Sequence, residues 1–166
     1  MNTAVAIGKS ALRRAAGRFV TGVGIVTAPD EDGAPKGATV NAITCLSLDP
    51  PLYLACLSNT SSTLGAILRT RVFGVNILSH GQREQAMLFA SKHPDKFGGI
   101  AFETGLLGAP LLTSAVASFE CEVEHTYAGG DHTIVVGRVR NLRECGDDVP
   151  LVMRSGQFVG IAGDIA

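Results

Sequence analysis

Apolar and polar residues alternate most cleanly at residues 118–127, where Phe119, Cys121 and Val123 interleave with Glu120, Glu122 and Glu124. A period of two belongs to a strand with one face on a core and the other in water, so the three acids are expected to point outward. The turn Ala128-Gly129-Gly130-Asp131 then leads into residues 133–142, whose Ile134-Val135-Val136 core reads as the hairpin partner. Upstream, residues 23–28, 52–57 and 72–78 read as further strands, and 52–57 is apolar throughout, as a buried strand would be. Residues 37–46 mix small, polar and β-branched side chains and read as one strand, which Asp49-Pro50-Pro51 breaks. The turn formers of 29–35 connect it to the strand before.

Helical signals are fewer. Ser10 can cap a helix over 11–16 that Gly17 ends, and residues 63–70 read as a second short helix. Residues 80–91, with Ala86, Met87, Phe89 and Ala90 apolar, read as a third, and 92–108 as a loop. Strands outnumber helices and no βαβ rhythm or internal repeat interrupts the chain. The fold class expected is mainly β with short α-helices, as one domain over 1–166: a closed or nearly closed antiparallel barrel.

Composition narrows the function classes. The 166 residues are 46% hydrophobic and 17% charged with a net charge of −1, which suits one globular core. Lys and Arg are scattered, so nucleic-acid binding is not expected. The longest apolar run is strand-sized, far short of the roughly 20 residues that span a bilayer. The segment Met1 to Ile7 lacks a basic start and a sustained apolar stretch. No signal peptide is read there, and a cytoplasmic location is expected. The four cysteines form no Cys-x-x-Cys pair, and Cys45, Cys56 and Cys121 sit in apolar strand patterns as small buried hydrophobes. His80 and Glu84 could share a helix face, but two ligands make no zinc site.

Three segments carry candidate chemistry. Gly130-Asp131-His132-Thr133 puts an acid and an imidazole at the mouth of an apolar strand, suited to docking a polar redox ligand; a plain turn accounts for the same residues. Ser58-Asn59-Thr60-Ser61-Ser62-Thr63 gathers hydroxyls and free N–H groups just before a helix, where an anion such as phosphate is favoured. A helix cap explains one or two of them. His132 is expected across the pocket from this cluster. Thr39 and Asn41 share a strand face beside the small Ala42, as the polar edge of a flat ring requires; polar edge residues facing water are the alternative. No phosphate-loop motif is present, and Gly22-Val23-Gly24 lacks the third glycine of a dinucleotide fold.

The order and spacing of several short motifs resemble the short flavin reductases of two-component monooxygenases, within the FMN-binding split barrels. They are Gly24-Ile25-Val26-Thr27, Gly37-Ala38-Thr39-Val40-Asn41-Ala42, Leu46-Ser47-Leu48-Asp49-Pro50-Pro51, Ser61-Ser62-Thr63, Phe73-Gly74-Val75-Asn76-Ile77-Leu78, Asp95-Lys96-Phe97 and Gly130-Asp131-His132-Thr133. The resemblance spans about residues 11–161. It implies a split barrel that forms a homodimer with flavin near the subunit boundary, using FMN or FAD with NADH or NADPH. Thr39, Val40, Asn41 and Ala42 would line the isoalloxazine and ribityl portion, with Ser47 nearby. Ser58, Ser62 and Thr63 would bind the phosphate. His132, with Asp131 before it, would stand beside the nicotinamide, and Phe97 near the outer flavin or dinucleotide. Ile43 stands where an aromatic is common and Phe158 where a tyrosine is often found.

Three functions follow from this reading. One is a reductase that supplies reduced flavin to a partner oxygenase. Another keeps its flavin and passes electrons to a different acceptor, such as a cobalt corrinoid. The last is a non-catalytic flavin- or haem-binding module, which would have no need of a nicotinamide site.

Overall fold

A computed structural model describes residues 7–145 and 148–161; the expectation for residues 1–6 lies outside them. In chain order the elements are α1 (Lys9–Ala16), β1 (Thr21–Gly22), β2 (Gly24–Pro29), β3 (Pro35–Val40), β4 (Ile43–Leu48), β5 (Pro51–Ser58), α2 (Ser62–Thr70) and β6 (Val72–Ile77). A single 3-10 turn at His80–Gln82 leads into α3 (Arg83–Ala90), followed by β7 (Phe102–Thr104), β8 (Pro110–Leu112), β9 (Ala117–Gly129), β10 (His132–Glu144), β11 (Val152–Arg154) and β12 (Gln157–Val159).

Seven strands form the main antiparallel sheet in the order β3-β2-β6-β9-β10-β5-β4. The mainly-β antiparallel expectation holds, with one correction: the sheet does not close. Its edges are β3 and β4, consecutive in the chain and joined through Asn41 and Ala42. The single strand expected over 37–46 is therefore two, because the chain must pass from one sheet edge to the other at this point. Ala42 O accepts from Cys56 N at 2.9 Å, which ties the crossing to β5.

Strand β2 is buried on both faces; its one polar side chain, Thr27, is satisfied by donating its hydroxyl to Pro110 O. Val26 faces the inner core with Phe73, Val75 and Val135, into which α2 inserts Ala66 and Ile67. Ile25 faces a second core beneath α3, with Leu78, Phe89, Leu112 and Leu151. Gly137 is fixed by the inner core: a Cβ there would lie 2.4 Å from the Phe73 ring, so only glycine lets that ring lie against β10. In α3 only Ala86 and Phe89 are buried, while Met87 is 60% exposed.

Other expectations change. Helix α1 starts at Lys9 rather than after Ser10; Gly8 O accepts from Leu12 N, so the backbone opens the helix without a side-chain cap. The expected loop at 92–108 contains β7, which pairs with β8. That hairpin overturns the outward placement of Glu120, which is fully buried because the connecting loop covers it: Leu107 N and Ala109 N both donate to its Oε1, at 2.8 and 3.1 Å. Cys45 is exposed, because β4 is an edge strand, whereas Cys121 is buried as expected. Burial, reinforced by the neighbouring Glu120 charge, pushes the Cys121 thiol up to about 12.

Candidate active site

The β9–β10 turn pivots on Gly130, whose φ of 74° lies in the left-handed region that glycine enters without a steric penalty. His132 opens β10 half exposed, and Asp131 stands in solvent. Their side chains meet, His132 Nδ1 to Asp131 Oδ1, at 2.8 Å. This hydrogen bond, reinforced by imidazole charge, holds the Asp131 carboxyl below the usual carboxylate range. A carboxylate can only accept, so Nδ1 carries the proton in this contact and Nε2 is the ring nitrogen that Asp131 does not engage.

The strand register corrects one expectation about distance. His132 pairs with Ser58 in the β5–β10 ladder, so imidazole and hydroxyl cluster are neighbours rather than opposite walls. Beyond Ser58, its Oγ lies 3.1 Å from Thr60 Oγ1, and Ser61 caps α2 by accepting from Leu64 N at 3.4 Å. Ser62 is exposed at the first turn of α2, whereas Thr63 is 1% exposed and packs inward. Asn59, between the two groups, bonds to the turn from both its main chain and its side chain.

Asn41 and Ala42 come together in a groove of about 670 Å³, with Thr21, Thr44, Cys45 and Cys56 among its other walls. Asn41 Nδ2 donates to Thr21 Oγ1 at 3.4 Å across one end. Thr39 is elsewhere engaged: its hydroxyl donates to Ala86 O at 2.6 Å and holds β3 to α3. Val40 is buried and Ser47 lies outside the groove walls. Ile43 is in the groove, its Cδ1 filling the space above Gly24. Burial raises the Cys56 thiol, which keeps it protonated.

Two more clefts carry candidate residues. Ser62 and Phe97 share one of about 420 Å³ with Lys36, His93 and Lys96. Phe97 is fixed edge-on between Phe89 and Phe102, with centroids at 4.9 and 5.3 Å. Lys96 Nζ donates to Phe89 O at 2.8 Å, and burial lowers its pKa. The other cleft, about 720 Å³, meets the groove at Phe19, Thr21 and Asn41 and carries Arg13, Arg14 and Arg18. Among the described residues, none of these three arginines forms an ion pair. Sequence reading missed them because they lie on a helix end and a loop whose place beside the groove no local pattern announces. Phe158 has taken Arg83 as its neighbour, the guanidinium 5.4 Å from the ring centroid.

An open β-sheet with a groove at its split and an acid–imidazole turn beside a hydroxyl-rich helix start defines a small-ligand binding class. The chain belongs to the flavin reductase-like family, whose domain model matches residues 16–162. It is 41% identical over 161 residues to the reductase subunit HsaB of a flavin-dependent monooxygenase from Rhodococcus jostii, covering 97% of this chain and 82% of that protein. Among solved structures, the Streptomyces globisporus NADH:FAD oxidoreductase SgcE6, in complex with NAD and FAD fragments, superposes with a TM-score of 0.90 at 34% identity, covering 98% of this chain and all of that one. A nitrilotriacetate monooxygenase component B homologue from Mycobacterium thermoresistibile gives 0.88 at 38% identity, over 93% of this chain and 87% of its own. Among the described residues no helix is long and apolar enough to cross a membrane.

Proposed function

We propose that this chain is an NAD(P)H:flavin oxidoreductase, taking a hydride from a reduced nicotinamide onto FMN or FAD and handing the reduced flavin to a partner oxygenase. The register of His132 against Ser58 carries the reading, since it sets a ring-orienting imidazole beside a phosphate-sized cluster of donors. Arg13, Arg14 and Arg18, in the cleft that meets the groove at Phe19, Thr21 and Asn41, add positive charge suited to a dinucleotide's phosphates.

The residues fit a flavin. The groove volume falls within the roughly 300–1,000 Å³ of small-molecule sites, its floor is apolar, and Asn41 and Thr44 supply polar edges. When bound, flavin and nicotinamide supply the redox chemistry, and the protein supplies geometry. Asn41 and the backbone about Ala42 hold the ring edge, while Ser58, Ser62 and the first N–H groups of α2 hold the phosphate. His132 orients the nicotinamide: with Nδ1 engaged by Asp131, Nε2 is the ring nitrogen left to hydrogen-bond the carboxamide. No proton needs to leave the ring for hydride transfer.

The working unit in this reading is a homodimer. Phe19 and Val20 beside the groove, and Leu46 and Leu48 on the β4 edge, expose apolar surface that a second copy would cover. The decisive assay is consumption of NADH or NADPH by purified protein with and without added FMN or FAD. Turnover that depends on added flavin is the expected result, and no oxidation of either nucleotide with either flavin overturns the reading.

A further inference from the structure

Asn59 makes three hydrogen bonds to the Gly130–Thr133 turn. Its backbone N–H donates to Asp131 O at 3.0 Å, its Nδ2 donates to Gly130 O at 3.0 Å, and its Oδ1 accepts from the Thr133 hydroxyl at 2.9 Å. The amide orientation is fixed by its partners, because a carbonyl can only accept and Oδ1 can only accept. Gly130 and Thr133 flank Asp131 and His132 on either side. One side chain therefore spans the two residues between them.

No other side chain of this segment can do the same. Aspartate lacks the donor for Gly130 O, and serine or threonine lacks the second polar arm. The turn has little else to hold it: Gly129, Gly130, Asp131 and His132 are all exposed, and β9 loses its β6 neighbour beyond Glu122. The ladder to Ser58 fixes the main chain of His132, but the turn before it projects past the end of β5. Without the side-chain clamp the His132 main chain stays in its ladders to Ser58 and Gly129, but Gly130 and Asp131 can shift, and with them the carboxylate that sets the orientation of the imidazole ring.

We infer that Asn59 is a positioning residue for nicotinamide binding, acting through the turn that carries His132 rather than by touching a ligand. The inference rests on the reading of His132 as the nicotinamide-orienting group. It also gives a physical reason for the two candidate segments to work together: the loop holding the phosphate donors carries the clamp for the imidazole.

The test is a cycle of Asn59→Ala, His132→Ala and the double variant, with Thr133→Val as an independent cut of one arm. Steady-state rates are read with NADH and with NADPH at saturating flavin, alongside flavin affinity and melting temperature. Losing exposed neutral hydrogen bonds corresponds to roughly two- to tenfold in an equilibrium constant. Asn59→Ala is expected to raise KM for the nucleotide by about that factor and to leave flavin affinity within about twofold. Thr133→Val should do the same more weakly, and Asn59→Ala should add little in the His132→Ala background.

If His132→Ala raises KM but Asn59→Ala leaves it at the wild-type value, the clamp is overturned and the His132 reading stands. The clamp is also overturned if the two effects multiply, or if flavin affinity falls as far as nucleotide affinity. If His132→Ala itself changes nothing, the His132 reading fails and this inference fails with it. Should Asn59→Ala not fold, Thr133→Val and Asn59→Asp, which keeps the Thr133 arm and loses the Gly130 arm, give the same comparison.

Discussion

His132 and Ser58 are direct partners across the β5–β10 ladder, so the imidazole and the hydroxyl cluster belong to one rigid piece of sheet. Neither depends on a mobile loop for its distance from the other. Ligand groups bound to the two would be held at a spacing the main sheet sets.

The two residues should nonetheless separate in kinetics. His132→Ala is expected to raise KM for NADH or NADPH by up to about tenfold, the range of one neutral hydrogen bond, with flavin affinity unchanged. A far larger fall in kcat at constant KM would assign the ring a transition-state role instead. Loss of flavin affinity with normal turnover at saturation would move His132 into the flavin site.

Ser58→Ala with Ser62→Ala should weaken flavin binding and leave the melting temperature near wild type, since neither side chain is buried. Two hydrogen bonds to a charged phosphate, partly solvent-screened, correspond to roughly ten- to a hundredfold in affinity. Thr63 is a poor choice for this test: at 1% exposure its replacement perturbs packing whether or not phosphate is bound. Titration of flavin into the double variant decides it. Unchanged affinity would place the phosphate elsewhere, with the cleft that carries Arg13, Arg14 and Arg18 the next candidate.

Period-two and apolar-run signals located the strands of the main sheet because burial on one or both faces leaves its mark on every second residue. Glu120 shows where such reasoning stops. Its neighbours Glu122 and Glu124 do face outward and pair with Arg140 and Arg138, at 2.7 and 2.8 Å. Glu120 sits in the same pattern but under a loop that arrives from residues 105–109, and alternation says which face a residue is on, not what later covers that face. The division at Asn41–Ala42 was invisible for a related reason, since a chain crossing between sheet edges keeps strand-like composition on both sides. The motifs at 58–63 and 130–133 were legible as separate signals. Their adjacency, and the role of Asn59 between them, needed the β5–β10 register.

Glu120 should be a stability residue. Glu120→Ala leaves the buried Ala109 N and the part-buried Leu107 N without their acceptor and is expected to cost about 2–4 kcal/mol. That corresponds to a melting temperature lower by roughly 4–16 °C for a domain of this size. Glu120→Gln keeps an acceptor for both N–H groups and should cost markedly less. Equal losses in the two variants would mean that charge, not acceptance, is what the loop requires.

Acid should weaken the molecule through its paired carboxylates. The Arg138 hydrogen bond holds Glu124 below its usual range, aided by guanidinium charge and opposed by desolvation, and Lys36 does the same for Asp30. A carboxylate with a depressed folded-state pKa contributes stability above its unfolded value, about 4 for these acids, and loses it as pH falls through the folded value. Glu124→Gln should therefore melt below wild type near neutral pH, and the gap should close toward about pH 3. A gap independent of pH would show that the side chain contributes by packing alone.

The β4 edge makes the last prediction. Leu48 is 86% exposed, Leu46 48%, and Phe19, on the groove's rim, 77%. An edge strand presenting unpaired main chain and large apolar side chains invites a second chain, and Phe19 with the β4 residues Thr44 and Cys45 lines the groove itself. Sedimentation of the wild-type protein should give a dimer at working concentrations. Leu48→Glu, which puts a charge where an apolar contact is needed, should shift it toward monomer without lowering the melting temperature of the isolated chain, because the Leu48 side chain is almost wholly exposed. If the second copy completes the groove, flavin affinity per chain should fall together with dimer content, and raising the protein concentration should restore both. A wild-type monomer with full flavin-dependent turnover would refute this, as would a Leu48→Glu dimer of wild-type strength.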